Sequence, residues 1–354
     1  MHLFVDISSH GFGHLAITAP VLNALAGRLP GLRLSIRSAL PPAQLHQRIG
    51  VPFELIAGCS DFGYRMIDAT RIDRAASAAA YRQAHADWPG SIAAEAAFLE
   101  RLQPDLVLTN VSYLPLAAAS ALGIPCLSLC SLNWAELFEH FFGAEPWAAT
   151  IHQEILAAYR SASAFLRITP GMPMTALDNL QAIGPISQHG QHHDLGLGGD
   201  KAVLVVMGGI DHPLPVDNWP AVPGIRWIVD GRFPFRHPSA MPHTAFALTF
   251  TDLLASVDAV ITKPGYGMFT EAAANGIPVL YQRREDWPEQ DCLIAWLNAH
   301  ARCLEIGCKQ LQKGHLAAAL TSLWHQTAPA RPDLTGIDEA VVKIANLIDT
   351  RSGS

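Results

Sequence analysis

Two histidines flank a pair of glycines in Ser8-Ser9-His10-Gly11-Phe12-Gly13-His14, directly after the apolar run of residues 3–7. Imidazole titrates near pH ~6.5, so a histidine at the end of a strand is a ready general base at cellular pH. His14, which opens the following helix, is the first candidate and His10 the second; the plainer alternative is that both only bond loop backbone. The string has two glycines, not the three of the dinucleotide fingerprint, which argues against a dinucleotide site.

A second cluster, Lys263-Pro264-Gly265-Tyr266-Gly267, lies between a strand ending at Thr262 and a short helix reaching Asn275. The N-terminus of such a helix carries roughly half a positive charge and open N–H groups, which suit a diphosphate, and Lys263 adds a full charge. Glu271, one turn into the helix, has two oxygens to accept from the vicinal hydroxyls of a ribose; the alternative is a dipole partner at the helix start. After the next strand comes Arg283-Arg284-Glu285-Asp286-Trp287-Pro288-Glu289-Gln290. Its polar groups fit the hydroxyls of a sugar, or else form a solvated loop with internal ion pairs.

The elements that must position these groups follow from periodicity. Short apolar, β-branched runs alternate with longer Ala/Leu-rich segments, the pattern of parallel sheets wrapped by helices. Strands are expected at residues 3–7, 32–37, 53–56, 105–109, 125–129 and 165–168, and again at 202–207, 226–229, 259–262 and 279–282. Helices are expected at 15–27, 71–102 with a break at Pro89-Gly90, 116–122 and 134–142, then at 269–275, 292–300 and 316–325. The polar, Gly-rich residues 184–200 read as a linker. The expectation is therefore an α/β chain with two Rossmann-like, doubly wound domains facing a cleft: residues 1–183 and 201–335, with a C-terminal helix and tail at 336–354 that fits either half. Either Asp6 or Asp105 is expected to orient the His14 ring.

Composition sets the outer bounds. Of 354 residues, 50% are hydrophobic and 16% charged, enough to build large cores. A net charge of −7 and the lack of a Lys/Arg stripe argue against a nucleic-acid partner. The chain opens directly as a strand, with no signal-like segment, and no apolar run reaches spanning length, so a cytoplasmic protein is expected. Trp134, Leu137, Phe138, Phe141 and Phe142 recur at helical spacing; such a stripe is core unless exposed, when it would meet a lipid or aromatic acceptor in peripheral membrane contact. The six cysteines form no C-x-x-C pair and read as buried thiols. His189, His192 and His193 read as part of a solvated spacer rather than a metal site.

The strings Lys263-Pro264-Gly265-Tyr266-Gly267, Thr270-Glu271-Ala272, Gly276-Ile277-Pro278 and Glu289-Gln290 together resemble the donor-binding segment of GT-B glycosyltransferases, including the plant-type UDP-sugar enzymes. Gly11-Phe12-Gly13-His14 is similar to the loop that supplies the catalytic histidine of inverting members. Closer still is the N-terminal glycosyltransferase-like region of plant-type L-arabinokinases, similar at His10 to His14, at Leu132-Asn133-Trp134 and at Lys263 to Gly267. The resemblance implies a nucleotide-sugar donor held by Lys263, Gly265 and the Gly267 turn near the diphosphate, by Glu271 on the ribose, and by Glu289 and Gln290 on the sugar, with Tyr266 and Thr270 also in the donor-binding segment. Gly208 and Gly209 resemble another phosphate-facing loop of that fold, or form an ordinary turn. Gly11, Phe12, Gly13 and Trp134 fall on the acceptor side, with His14 as base.

At the position of Lys263 the plant-type enzymes have histidine. No D-x-D string occurs, so the resemblance implies hexosyl or pentosyl transfer to an acceptor hydroxyl without metal or other cofactor. Two other functions fit the same fold: a nucleotide-sugar epimerase or hydrolase, and a non-catalytic nucleotide-sugar-binding module.

Overall fold

Every residue of the first strand, β1 (His2–Ile7), is buried, the signature of a parallel strand covered on both faces. The computed structural model describes residues 1–352, with side chains through residue 348. Its chain packs as two compact units: Met1–Ile67, Ile72–Ile186 and Leu334–Ser354 form the first, and Asp68–Arg71 with Ser187–Asp333 form the second.

In the first unit β1 is followed by α1 (Phe12–Arg28), β2 (Arg33–Ser38), α2 (Pro42–Arg48) and β3 (Glu54–Ala57). A small two-stranded sheet, β4 (Met66–Asp68) with β5 (Arg71–Ile72), precedes α3 (Arg74–Ala84) and α4 (Trp88–Leu102). Then come β6 (Leu106–Asn110), α5 (Leu114–Ala121), β7 (Cys126–Cys130), α6 (Trp134–Phe142), α7 (Ala148–Arg160), β8 (Ala164–Ile168) and β9 (Leu180–Ile183). The main sheet has seven strands in the order β3-β2-β1-β6-β7-β8-β9. Strand order reverses between β1 and β6, so the loops after these two strands line the crevice where open α/β sheets bind ligands.

The second unit runs β10 (Lys201–Val205), β11 (Ile225–Val229), β12 (Ala240–Pro242), α8 (Phe250–Ser256), β13 (Ala259–Thr262), α9 (Tyr266–Asn275), β14 (Val279–Tyr281), α10 (Glu289–His300), β15 (Cys303–Glu305), α11 (Cys308–Gln312) and α12 (Ala317–His325). Six parallel strands lie in the order β12-β11-β10-β13-β14-β15, with the reversal between β10 and β13. Trp219, Trp227, Ile261, Leu280 and Leu320 belong to its core, together with Ala69 from the 68–71 loop. The last helix, α13 (Gly336–Ser352), belongs to the first unit.

Several expectations need correction. The helical break falls between Ala84 and Trp88, not at Pro89-Gly90. Pro89 sits in the first turn of α4, where its missing N–H costs nothing, and the Asp87 carboxylate caps Gly90 N–H. Residues 190–193 are not a free spacer. Gly190 N–H donates to Asn275 Oδ1, Gln191 N–H to Asp252 Oδ1 and His193 N–H to Ser256 Oγ, while His192 Nδ1 lies 3.1 Å from Ala255 O. Cys59 and Cys308 are exposed rather than buried. The aromatic stripe of α6 is buried throughout, so it presents no face to a lipid or an aromatic acceptor. Among the described residues no helix is long and apolar enough to cross a membrane.

Candidate functional site

In the first unit the register of the sheet decides which group faces the helix-opening histidine. Ile7 pairs with Asn110 across β1 and β6, placing the Asn110 amide beside the first turn of α1. His14 Nδ1 lies 2.8 Å from Asn110 Oδ1, while Asn110 Nδ2 donates to Thr18 Oγ1 (2.9 Å) and to His14 O. Those two donations fix the amide orientation, so Oδ1 accepts and Nδ1 carries the proton. Nε2 therefore holds the lone pair, the arrangement a general base requires. Burial drags the ring down to about 4 and the Asn110 bond only partly offsets this, so His14 is neutral at physiological pH.

Neither expected carboxylate orients His14. Asp6 is taken by Arg37, Ser60 and Ser112, and Arg37 is also held by Glu95 in a buried network. Asp105 accepts from the backbone N–H of His2.

His10 is locked rather than free to swing. Its Nδ1 accepts from Tyr64 N–H at 3.3 Å, and its ring meets Trp134 edge-on. Gly63, at φ +57, is required here because a Cβ would come within 2.8 Å of the His10 ring. Gly11 leads into α1, Phe12 begins it and Gly13 is its second residue, and a Cβ at either glycine would meet open space. Trp134, expected on the acceptor, is wholly buried: its indole N–H donates to Asp61 Oδ2 at 2.7 Å while its ring packs edge-on against His10 and His14. It props the site from behind.

Asp61 was not legible as a site residue. Burial, with the Asp6 carboxylate nearby, raises it to about 7, although Trp134 and the hydroxyls of Ser8 and Ser112 favour the charged form. The native state thus holds a proton on Asp61 that the unfolded chain releases near 3.8, so its stabilisation is full below that pH and is lost as pH rises through 7. His14 acts oppositely: its contribution is present above 6.5 and lost as pH falls through about 4. Urea midpoints of Asp61→Asn should climb more steeply from pH 4 to 7 than those of the parent, and those of His14→Gln less steeply. Unchanged slopes would contradict both assignments.

In the second unit Lys263 leaves β13 and folds over glycine on two sides. A Cβ built on Gly208 would stand 3.7 Å from Lys263 Nζ, and one on Gly265 3.6 Å from it. Gly208 has φ +91, and Arg232 ties down its carbonyl and that of Gly209. Gly265 caps α9 and contributes no side-chain cap to the first turn, which begins at Tyr266 and Gly267. Lys263 makes no ion pair among the described residues. Burial first, then the charge of Arg284, lowers its pKa to about 7, with Glu289 opposing.

The remaining expected donor contacts fall differently. Thr270 spends its hydroxyl on Tyr266 O, inside the helix. Glu271 is buried at 2% exposure, as is Glu289 at 4%, whose Oε2 accepts from Trp287 Nε1. Gln290 is not open to a sugar: its Oε1 accepts from Arg284 N–H and its Nε2 donates to Arg284 O. It clamps a loop instead. Arg284 stood unremarked within the polar string, yet it is the buried cation whose charge Lys263 feels. The signal available was an arginine directly beyond a buried strand, with Trp287 and Gln290 three and six residues on. Among the described residues, no three His, Cys, Asp or Glu side chains converge as metal ligands.

No protein-family model matches the chain. Over 342 residues, 93% of its length, it is 21% identical to L-arabinokinase of Arabidopsis thaliana, and it spans only 32% of that protein. Among solved structures, the glycosyltransferase of kitacinnamycin superposes with a TM-score of 0.62 at 16% identity, covering 99% of this chain and 95% of that one. A protein assigned as a UDP-N-acetylglucosamine 2-epimerase from Listeria monocytogenes gives 0.59 at 13% identity, covering 99% and 96%. The fold is GT-B, as the sequence motifs led us to expect.

Proposed function

We propose that this chain, on its GT-B frame, is a metal-independent, inverting glycosyltransferase that moves a hexosyl or pentosyl unit from a nucleotide-diphosphate sugar to an acceptor hydroxyl. One observation carries the reading: Lys263, which forms no ion pair among the described residues, is set against Gly208, Gly265 and the N-terminus of α9 at the switch point of the second sheet. That is a place built for a diphosphate. His14 supports the other half: its Nδ1 is held by Asn110 and its neutral ring leaves the Nε2 lone pair to take a proton, at the switch point of the first sheet.

In this mechanism the donor lies on the second unit, with Glu271 toward the ribose and Glu289 toward the sugar. The acceptor lies over Gly11, Phe12 and Gly13. His14 Nε2 takes the proton of the acceptor hydroxyl as its oxygen bonds to the anomeric carbon, and the bond from that carbon to the diphosphate breaks on the opposite side. Negative charge collects on the leaving diphosphate, where Lys263 and the α9 N–H groups stabilise it.

The likeness to the Listeria protein favours a second reading, epimerisation of a nucleotide sugar, which needs no acceptor. A nucleotide-sugar panel screened by thermal shift, followed by product analysis with and without an acceptor pool, separates the two. A donor at about 100 times its Kd adds about 2.7 kcal/mol of stability. Transfer only when acceptor is present is the expected result. An altered or hydrolysed sugar without acceptor would replace the transferase reading.

A further inference from the structure

We propose that Arg284 is an oxyanion receptor of the donor site, gripping two oxygens of either the diphosphate or a carboxylate on the transferred sugar. The inference rests on the donor-site reading and deepens it. Arg284 is 6% exposed, yet its Nε and Nη2 have no hydrogen-bond partner among the described residues. These two atoms share one edge of the guanidinium, so their N–H bonds run parallel, the fork that matches a carboxylate or phosphate.

The fork is held ready. The guanidinium lies on Trp287, 3.7 Å from the ring centroid, and Gln290 bonds the Arg284 backbone at both its N–H (3.0 Å) and its carbonyl (3.3 Å). Glu285 N–H donates to Thr70 O, fastening the next residue as well.

Among the described residues the other buried arginine, Arg37, is paired with Asp6 and Glu95, and the adjacent Arg283 is paired with Asp291 and Glu305. Arg284 forms no ion pair among the described residues, although the charges of Glu289 and Asp68 reach it. A buried cation without a partner destabilises a fold, and a ligand oxyanion supplies the missing partner.

Calorimetry on the full chain tests this with UDP, TDP, UDP-glucose and UDP-glucuronate against Arg284→Lys, which keeps the charge and loses the fork, and Arg284→Met. If the diphosphate is the ligand, Arg284→Lys should bind all four about tenfold or more weakly. If the sugar carboxylate is the ligand, only UDP-glucuronate should lose affinity. Arg284→Met should melt at or above the parent temperature. Parent-like affinity in both variants overturns the inference and leaves the donor reading standing. Absence of binding to the parent overturns both. A lower melting temperature in both variants marks a structural arginine and overturns the inference alone.

Discussion

Replacing His14 with alanine is expected to lower turnover by about 10³-fold while leaving nucleotide affinity within about twofold, the size of a lost general base. The separation is expected because the proposed base and the proposed nucleotide-binding cation, Lys263, belong to different compact units. The acid limb of kcat/KM carries a second mark. A base must be unprotonated, and burial holds this ring near 4, so activity should persist well below the 6.5 of an ordinary histidine and fall only toward pH 4. Steady-state rates from pH 4 to 8, with calorimetric binding of the nucleotide to the variant, check both marks. Undiminished turnover would remove His14 from the mechanism and bring His10 forward.

Lys263→Met should weaken nucleoside diphosphate binding by about 10- to 100-fold, the worth of a charge-assisted hydrogen bond. The pH dependence is distinctive. With the free ammonium near 7, its charged form disappears as pH rises through that value, and anion affinity should fall between pH 7 and 9. The methionine variant should show no such fall. Removing a poorly solvated cation should also leave the variant at least as stable as its parent, so loss of binding is not explained by loss of fold. Calorimetry across that window together with melting curves decides it. A pH-independent affinity in the parent would take Lys263 out of the diphosphate site.

Much of the architecture was legible because it is written locally. Predominantly apolar runs such as Leu3 to Ile7 announce buried parallel strands, and the Gly265 and Gly267 turn announces the start of α9. Elements with weak local signals escaped notice. α2 and α8 have seven residues each, β12 and β15 three each, and β9 is largely unburied, so none shows enough periods to stand out. α7 is longer at 13 residues, yet its polar face interrupts the apolar rhythm.

By itself the sequence determined the class of fold, the ends of the strands where ligand groups gather, and the residue types gathered there, since helix periodicity, strand burial and glycine turns are properties of neighbouring residues. Only tertiary structure decided which of those groups are already engaged. His14 turned to Asn110, 96 positions away, because β1 and β6 pair in the register that sets Ile7 against Asn110, while Asp6 went to Arg37. Trp134 turned inward to Asp61, and in the other unit Gln290 closed on the Arg284 backbone, while the Nε and Nη2 of Arg284 have no hydrogen-bond partner among the described residues. A hydrogen bond forms with whatever the packed sheet brings within 3 Å or so, and that distance is set by strand register and burial rather than by proximity along the chain.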